Sequence, residues 1–289
     1  MKKQLLSFLF MFVCAAVFAQ TVTLTFTAQD AGNHYVQLNN EEGKPCPGTP
    51  TVTDHEGNVY NTVQIGNQCW TRENLRTTTS PSTGTYLIPA AGTRYTYTGK
   101  QARWYNNDSA TYAPKNYGLL YNWNAAVDTF NTAYGETSVN ARYYNAVPDT
   151  FSSHRRGICP AGWHLPSDVE WSQLENYVGG QSCYMCGGDT SCIAKALASE
   201  TDWSNSTVNC AVGNNKGAYN ATGFSVLPAG YCFGSSFSDA GTGNNAHFWS
   251  ATKYSNRFAY YRALYYYRAG VGRDGGSMCD GYSVRCLRD

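Results

Sequence analysis

The sequence predicts a mixed fold of a few helices and many short strands joined by long loops. Three observations carry that expectation. The 289-residue chain holds 28 Gly and 23 Tyr, with aromatic residues at 15% and charged residues at only 14%, a composition suited to wide turns and aromatic surfaces. Ser167–Val178, SDVEWSQLENYV, reads as an amphipathic helix that Ser167 and Glu170 start with a capping box. The last third breaks into short runs set apart by Gly and Asn, namely GFSVLPAGY, AHFWSAT, FAYYRALYYY and YSVRCLRD.

The elements follow in chain order. Lys2 and Lys3 precede the apolar run Leu5–Phe18, and Val17-Phe18-Ala19 offers a cleavage site, so residues 1–19 read as a secretory signal. The run is too short to span a membrane comfortably, and no other stretch approaches that length. Lipidation at Cys14 is disfavoured by the bulky Val13 before it. The expected location is therefore secreted, periplasmic or at the cell surface. Thr21–Ala28 alternates as a half-buried strand, with Tyr35–Leu38 as its return. EEGKPCPGTP is a linker, so a short β segment over residues 20–48 precedes one domain over 49–289. Glu56-Gly57-Asn58 makes a turn before a strand at Val59–Ile65. The apolar spacing of NYGLLYNWNAAV predicts a helix over Asn116–Val127, and Asp128–Arg156 reads as a polar insertion. Pro166 ends an extended piece, Trp171, Leu174, Tyr177 and Val178 line the next helix, and Ser191–Ser199 is a second, shorter one.

Charge excludes some functions. With 21 Lys and Arg against 20 Asp and Glu, the net charge of +1 gives no electrostatic case for nucleic acid or anionic lipid. Besides Cys14, ten cysteines remain, and behind a secretory signal disulfides are their default use. A zinc site of Cys183, Cys186, Cys192 and Cys210 is the less favoured alternative. No metalloprotease, nucleophile-elbow, P-loop or dinucleotide motif is present, and the glycines of AGVGRDGG open no helix. The five histidines, His34, His55, His154, His164 and His247, are scattered, with His164 read as a structural hydrogen-bonding group. Asp168 and Glu170 are read as first-turn acids that favour the helix dipole. No catalytic constellation and no cofactor follow from these residues.

Six segments in order, TVTDHEGNVYNTVQIGNQCWTRENL, YGLLYNWNAAV, CPAGWHLPSDVEW, ATGFSVLPAGY, FWSAT and YSVRCLRD, resemble the Fibrobacter succinogenes major paralogous domain. This family is common in secreted and lipid-anchored proteins of Bacteroidetes and is related to C-type-lectin-like and formylglycine-generating-enzyme domains. The resemblance spans about Thr49–Asp289. It implies an α+β, C-type-lectin-like fold with two helices, short antiparallel strands, long loops and disulfide links. It also implies that the first and last strands pair, bringing Val59–Ile65 near Ser283–Leu287. With its help four bridges are suggested among the many connectivities open to ten cysteines: Cys159–Cys286, Cys46–Cys69, Cys186–Cys210 and Cys183–Cys192. Cys232 and Cys279 are left over. The tripeptides with which sugar-binding lectins hold calcium are missing, and no copper-binding cysteine pair of the formylglycine type maps onto the chain.

The C-terminal stretch is the expected site. Read as a strand, Phe258–Arg268 carries Phe258, Tyr260, Arg262, Leu264 and Tyr266 on one face and Ala259, Tyr261, Ala263, Tyr265 and Tyr267 on the other. Ala269–Asp280 is almost all small and polar, and its plain reading is a loop. Tyr, Gly, Ser and Arg together are also the residues of evolved binding surfaces. Some lectin-fold proteins are diversified by retroelements, and from Tyr254 to Cys286 only Met278 breaks the codon pattern such diversification leaves. The candidate ligand-binding, diversified positions are Ala263, Tyr265, Tyr267, Arg268, Gly270, Gly272, Asp274, Gly275, Gly276, Ser277 and Asp280, with Tyr260, Arg262, Leu264, Tyr266, Val271 and Arg273 as framework. Trp249 and Tyr254 are candidates for its border. The expected function is a non-catalytic binding protein for an unidentified protein or glycan, with a structural or fimbria-associated module as the alternative and a formylglycine-generating-type enzyme as a distant one.

Overall fold

The computed structural model describes residues 43–90, 93–128, 155–215, 220–234, 236–237 and 241–289. The signal sequence, the strands expected at 21–28 and 35–38, His34, His154 and nearly all of the insertion after Asp128 lie outside the described residues.

The fold is α+β, with three antiparallel sheets among the described residues. In the first sheet β1 (Thr51–Thr53), β2 (Val59–Ile65), β3 (Gln68–Thr71), β10 (Leu287–Arg288) and β6 (Trp163–His164) lie in that order. The pairing expected between Val59–Ile65 and the chain's last strand is not made: β3 stands between them, pairing Val63 with Trp70 on one side and Leu287 with Trp70 on the other, so the two are near without being neighbours. A two-stranded ladder joins β4 (Ala102–Arg103) to β5 (Leu120–Tyr121). The third sheet orders β7 (Asn245–Lys253), β8 (Phe258–Tyr265) and β9 (Gly272–Ser277).

Four short or medium helices accompany the sheets among the described residues: α1 (Ser109–Tyr112), α2 (Trp123–Ala126), α3 (Asp168–Gly179) and α4 (Ala194–Leu197). The capping box predicted for α3 is present. The Ser167 hydroxyl accepts from the Glu170 amide, while the Glu170 carboxylate accepts from the Ser167 amide at 2.7 Å. Its buried residues Trp171, Leu174 and Val178 share one core with Val63, Ile65 and Trp70 of the first sheet and Phe248 and Leu264 of the third. Each such large apolar side chain contributes about 1.5–3 kcal/mol on burial. A second core gathers Tyr121, Trp123, Trp249, Tyr282 and the Cys159–Cys286 bridge.

Several expectations change. The helix expected over Asn116–Val127 shrinks to α2. Gly118 turns the chain at φ +71°, and Leu120–Tyr121 pairs as β5 with both side chains buried, so the apolar run marked an enclosed strand before a single capped turn. The second helix, expected at Ser191–Ser199, is only α4, because Ala198 is extended and bridges Val226. Gly223–Tyr231 forms isolated bridges at Val226 and Gly230 and no named strand. The plain loop reading of Ala269–Asp280 is also overturned: Gly272–Ser277 is β9, paired along β8 from Ala263 to Phe258.

Cys46–Cys69, Cys159–Cys286 and Cys186–Cys210 are bridged as expected. The Cys183–Cys192 bridge does not form, since Cys192 is a free thiol, half-buried beside Asp189, while Cys183 is bridged. The Cys186–Cys210 bridge also removes two ligands from the zinc alternative. His164 joins Glu170 at 2.9 Å to Asp289 at 2.7 Å, the structural role expected of it. Fully buried Arg285 donates to Asn74 Oδ1 at 2.6 Å and to the Thr71 and Phe224 carbonyls. Desolvation pushes its pKa down to about 9, yet the ring of acceptors keeps the guanidinium satisfied.

Candidate functional site

The third sheet has two unlike faces, set by the two-residue period of its strands. On one face Ala246, Phe248 and Leu264 join the core around α3. There Arg262 also binds Asp168 at 2.6 Å, Glu175 and the Ser172 hydroxyl. On the other, Asn245 and His247 of β7 stand beside Tyr265 and Ala263 of β8. This second face floors a cleft of about 1220 Å³.

One wall of the cleft comes from β8, β9 and the residues after them: Tyr261, Tyr265–Tyr267, Gly275–Ser277, Cys279, Asp280 and Tyr282. The other comes from two distant segments, Arg94–Thr98 and Tyr231–Gly234, with Tyr231, Phe233 and Gly234 lining it from the second. His247 sits amid rings, with centroids 4.5 Å from Tyr231, 5.1 Å from Tyr282, 5.2 Å from Tyr261 and 5.5 Å from Tyr265. Burial pushes its pKa down to about 3, so it is neutral at ordinary pH. Burial also lifts Asp280 to about 6, although the Tyr282 hydroxyl donates to it at 3.2 Å. The same desolvation raises the thiols of Cys232 and Cys279 to about 12 and holds Tyr261 and Tyr265 above the usual phenol range.

The cleft takes only some of the expected site residues. Tyr265, Tyr267, Gly275, Gly276, Ser277 and Asp280 line it, whereas Ala263, Arg268, Gly270, Gly272 and Asp274 do not. Ala263 is fully buried, packed between His247 and Gly272 in neighbouring strands. A Cβ on Gly276 would lie 2.6 Å from the Tyr282 ring, and one on Gly275 2.8 Å from Tyr254, so both positions resist a side chain. Arg268 is exposed and covers the rings of Tyr265 and Tyr267 at 4.9 and 5.5 Å. Of the residues read as framework, Arg262 and Leu264 are buried, Arg273 pairs with Asp168 at 2.7 Å and Val271 packs on the α3 core. Tyr260 lies under Arg273 at 4.2 Å, while Tyr266, expected as framework, both packs on that core and lines the cleft. Trp249 is core, its indole donating to the Tyr121 carbonyl at 2.7 Å, and Tyr254 is exposed beside Tyr260.

Sequence reasoning missed Arg94–Thr98, Tyr231, Phe233, His247 and Arg257. A signal for the first existed in Arg94-Tyr95-Thr96-Tyr97-Thr98, where Tyr alternates with polar residues as in the C-terminal stretch. Among the described residues no group of three or more His, Cys, Asp or Glu is placed to hold a metal ion, and no helix is long and apolar enough to cross a membrane.

An α+β domain whose outer sheet face floors an aromatic cleft defines the class of this protein. The family profile described as the Fibrobacter succinogenes major domain matches residues 63–288. The chain belongs to that family, in agreement with the resemblance drawn from its ordered motifs. No curated protein and no solved structure matches it.

Proposed function

We propose that this chain is a non-catalytic binding protein acting outside the cytoplasm, on a C-type-lectin-like scaffold, and that its ligand occupies the cleft over β7, β8 and β9. The observation that carries the reading is the lining: Tyr97, Tyr231, Tyr261, Tyr265, Tyr267 and Phe233, with Arg94 and Arg257 among them. Tyr offers large contact area at low entropy cost, and Arg is enriched where binding energy concentrates. The volume exceeds the roughly 300–1,000 Å³ of small-molecule pockets, which suits part of a larger protein or glycan. The ionisable groups are set away from chemistry: His247 is held neutral and Cys279 protonated. The apolar start of the chain and the bridges Cys46–Cys69, Cys159–Cys286 and Cys186–Cys210 support export.

Retroelement diversification is a narrower form of the same proposal. Tyr267, Arg268 and Asp274 are exposed and free to vary, whereas Ala263, Gly275 and Gly276 are sterically fixed. Sequencing the locus in clonal descendants tests it: substitutions concentrated at the exposed codons support it, and a 3′ end no more variable than the rest sinks it.

A structural or fimbria-associated module is favoured by one observation, the apolar rim of Phe233, Phe258 and Tyr267, exposed at 65%, 37% and 43%. A formylglycine-generating-type enzyme would need a copper-binding thiol pair. Cys232 and Cys279 are free and pack in one cluster, but burial holds both as thiols.

The deciding experiment compares the wild type with a Tyr265→Ser/Tyr267→Ser double variant for retention on intact cells and on extracted surface proteins and glycans. Loss of retention at unchanged Tm supports the binding reading. Equal retention removes the cleft as the site, and reversible self-association in dilute solution favours the structural module.

A further inference from the structure

We propose that the cleft receives an extended polypeptide segment lying along β8, with an acidic residue facing Arg94 and Arg257 at one end and a basic residue, four positions away, facing Asp274. The inference rests on the cleft being the binding site and names the chemistry of its ligand.

The lining runs from Phe258 at the start of β8 to Tyr265 at its end. Seven steps of strand span about 23 Å, so the cleft is a trough along β8. Its two arginines stand together at the Phe258 end. Arg257 precedes β8, with its Cζ 5.6 Å from the centre of the Tyr97 ring, and the Tyr97 and Ser277 hydroxyls lie 3.2 Å apart. Arg94 Nε would lie 3.4 Å from a Cβ on Gly234, and its charge reaches the Cys279 thiol, two residues past β9. The acid of the lining, Asp280, is buried and takes a hydrogen bond from the Tyr282 hydroxyl at 3.2 Å. The exposed Arg94 and half-buried Arg257 therefore set the sign of this end.

Asp274 supplies the opposite charge. It pairs in register with Tyr261, four residues along β8 from Arg257, or about 13 Å. Gly272 and Gly276 share its face. A Cβ on Gly272 would meet Tyr265 at 3.3 Å, and one on Gly276 would meet Tyr282 and Tyr261 at 2.6 and 3.0 Å. All three rings line the cleft, so the exposed Asp274 projects on the cleft side, at its flank, between two positions without side chains. Burial, and with it the charge of Asp274, holds the Tyr261 and Tyr265 phenols above their usual range. Arg268 lies farther along, over Tyr265 and Tyr267 at 4.9 and 5.5 Å. Charge therefore alternates along the trough.

This pattern selects the class of ligand. An extended chain turns every second side chain to one side, so residues four apart reach both sites from one face. Glycans carry anionic groups but rarely a cation, whereas a polypeptide supplies both signs at that spacing. The tyrosine rings beside Asp274 add cation–π contact for a lysine or arginine. Charges so placed govern register and specificity, and the tyrosines supply contact area.

The test is panning of random decapeptides displayed on phage against the purified chain. Enriched peptides are expected to carry Asp or Glu and Lys or Arg four positions apart. For a synthetic peptide so selected, Asp274→Lys and Arg257→Glu should each raise Kd about tenfold, and reversing the matching peptide charge should restore most of the loss. Asp274→Lys alters an exposed side chain, so it remains informative if Arg257→Glu misfolds. Enriched peptides without the charge pattern, a Kd indifferent to Asp274→Lys, or no enriched peptide, with or without binding of polygalacturonate, overturns the proposal. If cell retention stays dependent on Tyr265 and Tyr267 while the peptides fail, the polypeptide inference fails and the cleft reading stands. If retention is also independent of those tyrosines, both fail.

Discussion

Arg262, fully buried in the middle of β8, holds its Nη1 2.6 Å from Asp168 Oδ1 at the first residue of α3. Burial alone would raise the Asp168 pKa, but hydrogen bonds from Arg273 and Arg262 hold it below the usual carboxylate range. Glu175, on the other side of Arg262, goes the opposite way, because its desolvation outweighs the same guanidinium. Removing the arginine would leave two acids facing each other under a sheet. Arg262→Ala is therefore expected to cost about 3–5 kcal/mol in urea unfolding, whereas Arg273→Ala, at a half-exposed side chain, should cost under about 1 kcal/mol. The Asp168 contribution is present above its unfolded pKa and is lost as pH falls through the depressed folded value.

Asp280 gives the reverse pH dependence. Its folded pKa, about 6, lies above the unfolded value of about 3.9. The folded state then binds the proton more tightly, so the contribution is full below pH 4 and is lost as pH rises to about 6. Asp280→Asn should flatten the fall in Tm between pH 4 and 7 relative to the wild type. Parallel curves for the two proteins would contradict this.

The bridges should differ in worth with the loops they close. Cys159–Cys286 joins residues 127 apart and Cys46–Cys69 residues 23 apart. Loop-closure entropy then assigns about 5 and about 3 kcal/mol to them. Paired Cys→Ala variants, compared by denaturant midpoint, should show the larger loss for the longer loop.

Two neighbouring positions of β9 should respond oppositely. Gly276→Ala drives a methyl into the Tyr282 ring and is expected to destabilise by about 1–3 kcal/mol. Asp274 is exposed, and its replacement by Ser, Asn or Tyr should stay within about 0.5 kcal/mol. Thermal unfolding of the four variants checks both, and a tolerated Gly276→Ala would reopen that position to diversification.

What was legible in the sequence was local. Ser167 and Glu170 announce α3 because the capping box needs only four adjacent residues, and the strands β2, β7 and β8 carry their own apolar runs. β9 was not legible: GRDGGS has no apolar period, and it becomes a strand by pairing with β8, where tertiary context outweighs propensity. The helix expected at Asn116–Val127 failed for the same reason, since Leu120 and Tyr121 are apolar to suit a sheet. Half of the site was readable in the Tyr-rich C-terminus. The wall from Arg94–Thr98 and Tyr231–Gly234 depends on chain segments more than a hundred residues apart, which no local pattern brings together.

The two faces of β8 divide its residues into separate inheritances. Arg262 and Leu264 answer for stability, Tyr261 and Tyr265 for the cleft, and the two sets alternate along one strand. Point substitution at Tyr265 can therefore reshape the cleft while the Arg262 face keeps its contacts. Length change has no such freedom: a single-residue insertion between Ala259 and Tyr261 would slip the register and turn Arg262 and Leu264 toward the cleft, spoiling folding and recognition together. Lineages of this domain should accept replacements at Tyr265 more readily than at Arg262 or Ala263, and should reject indels in this strand.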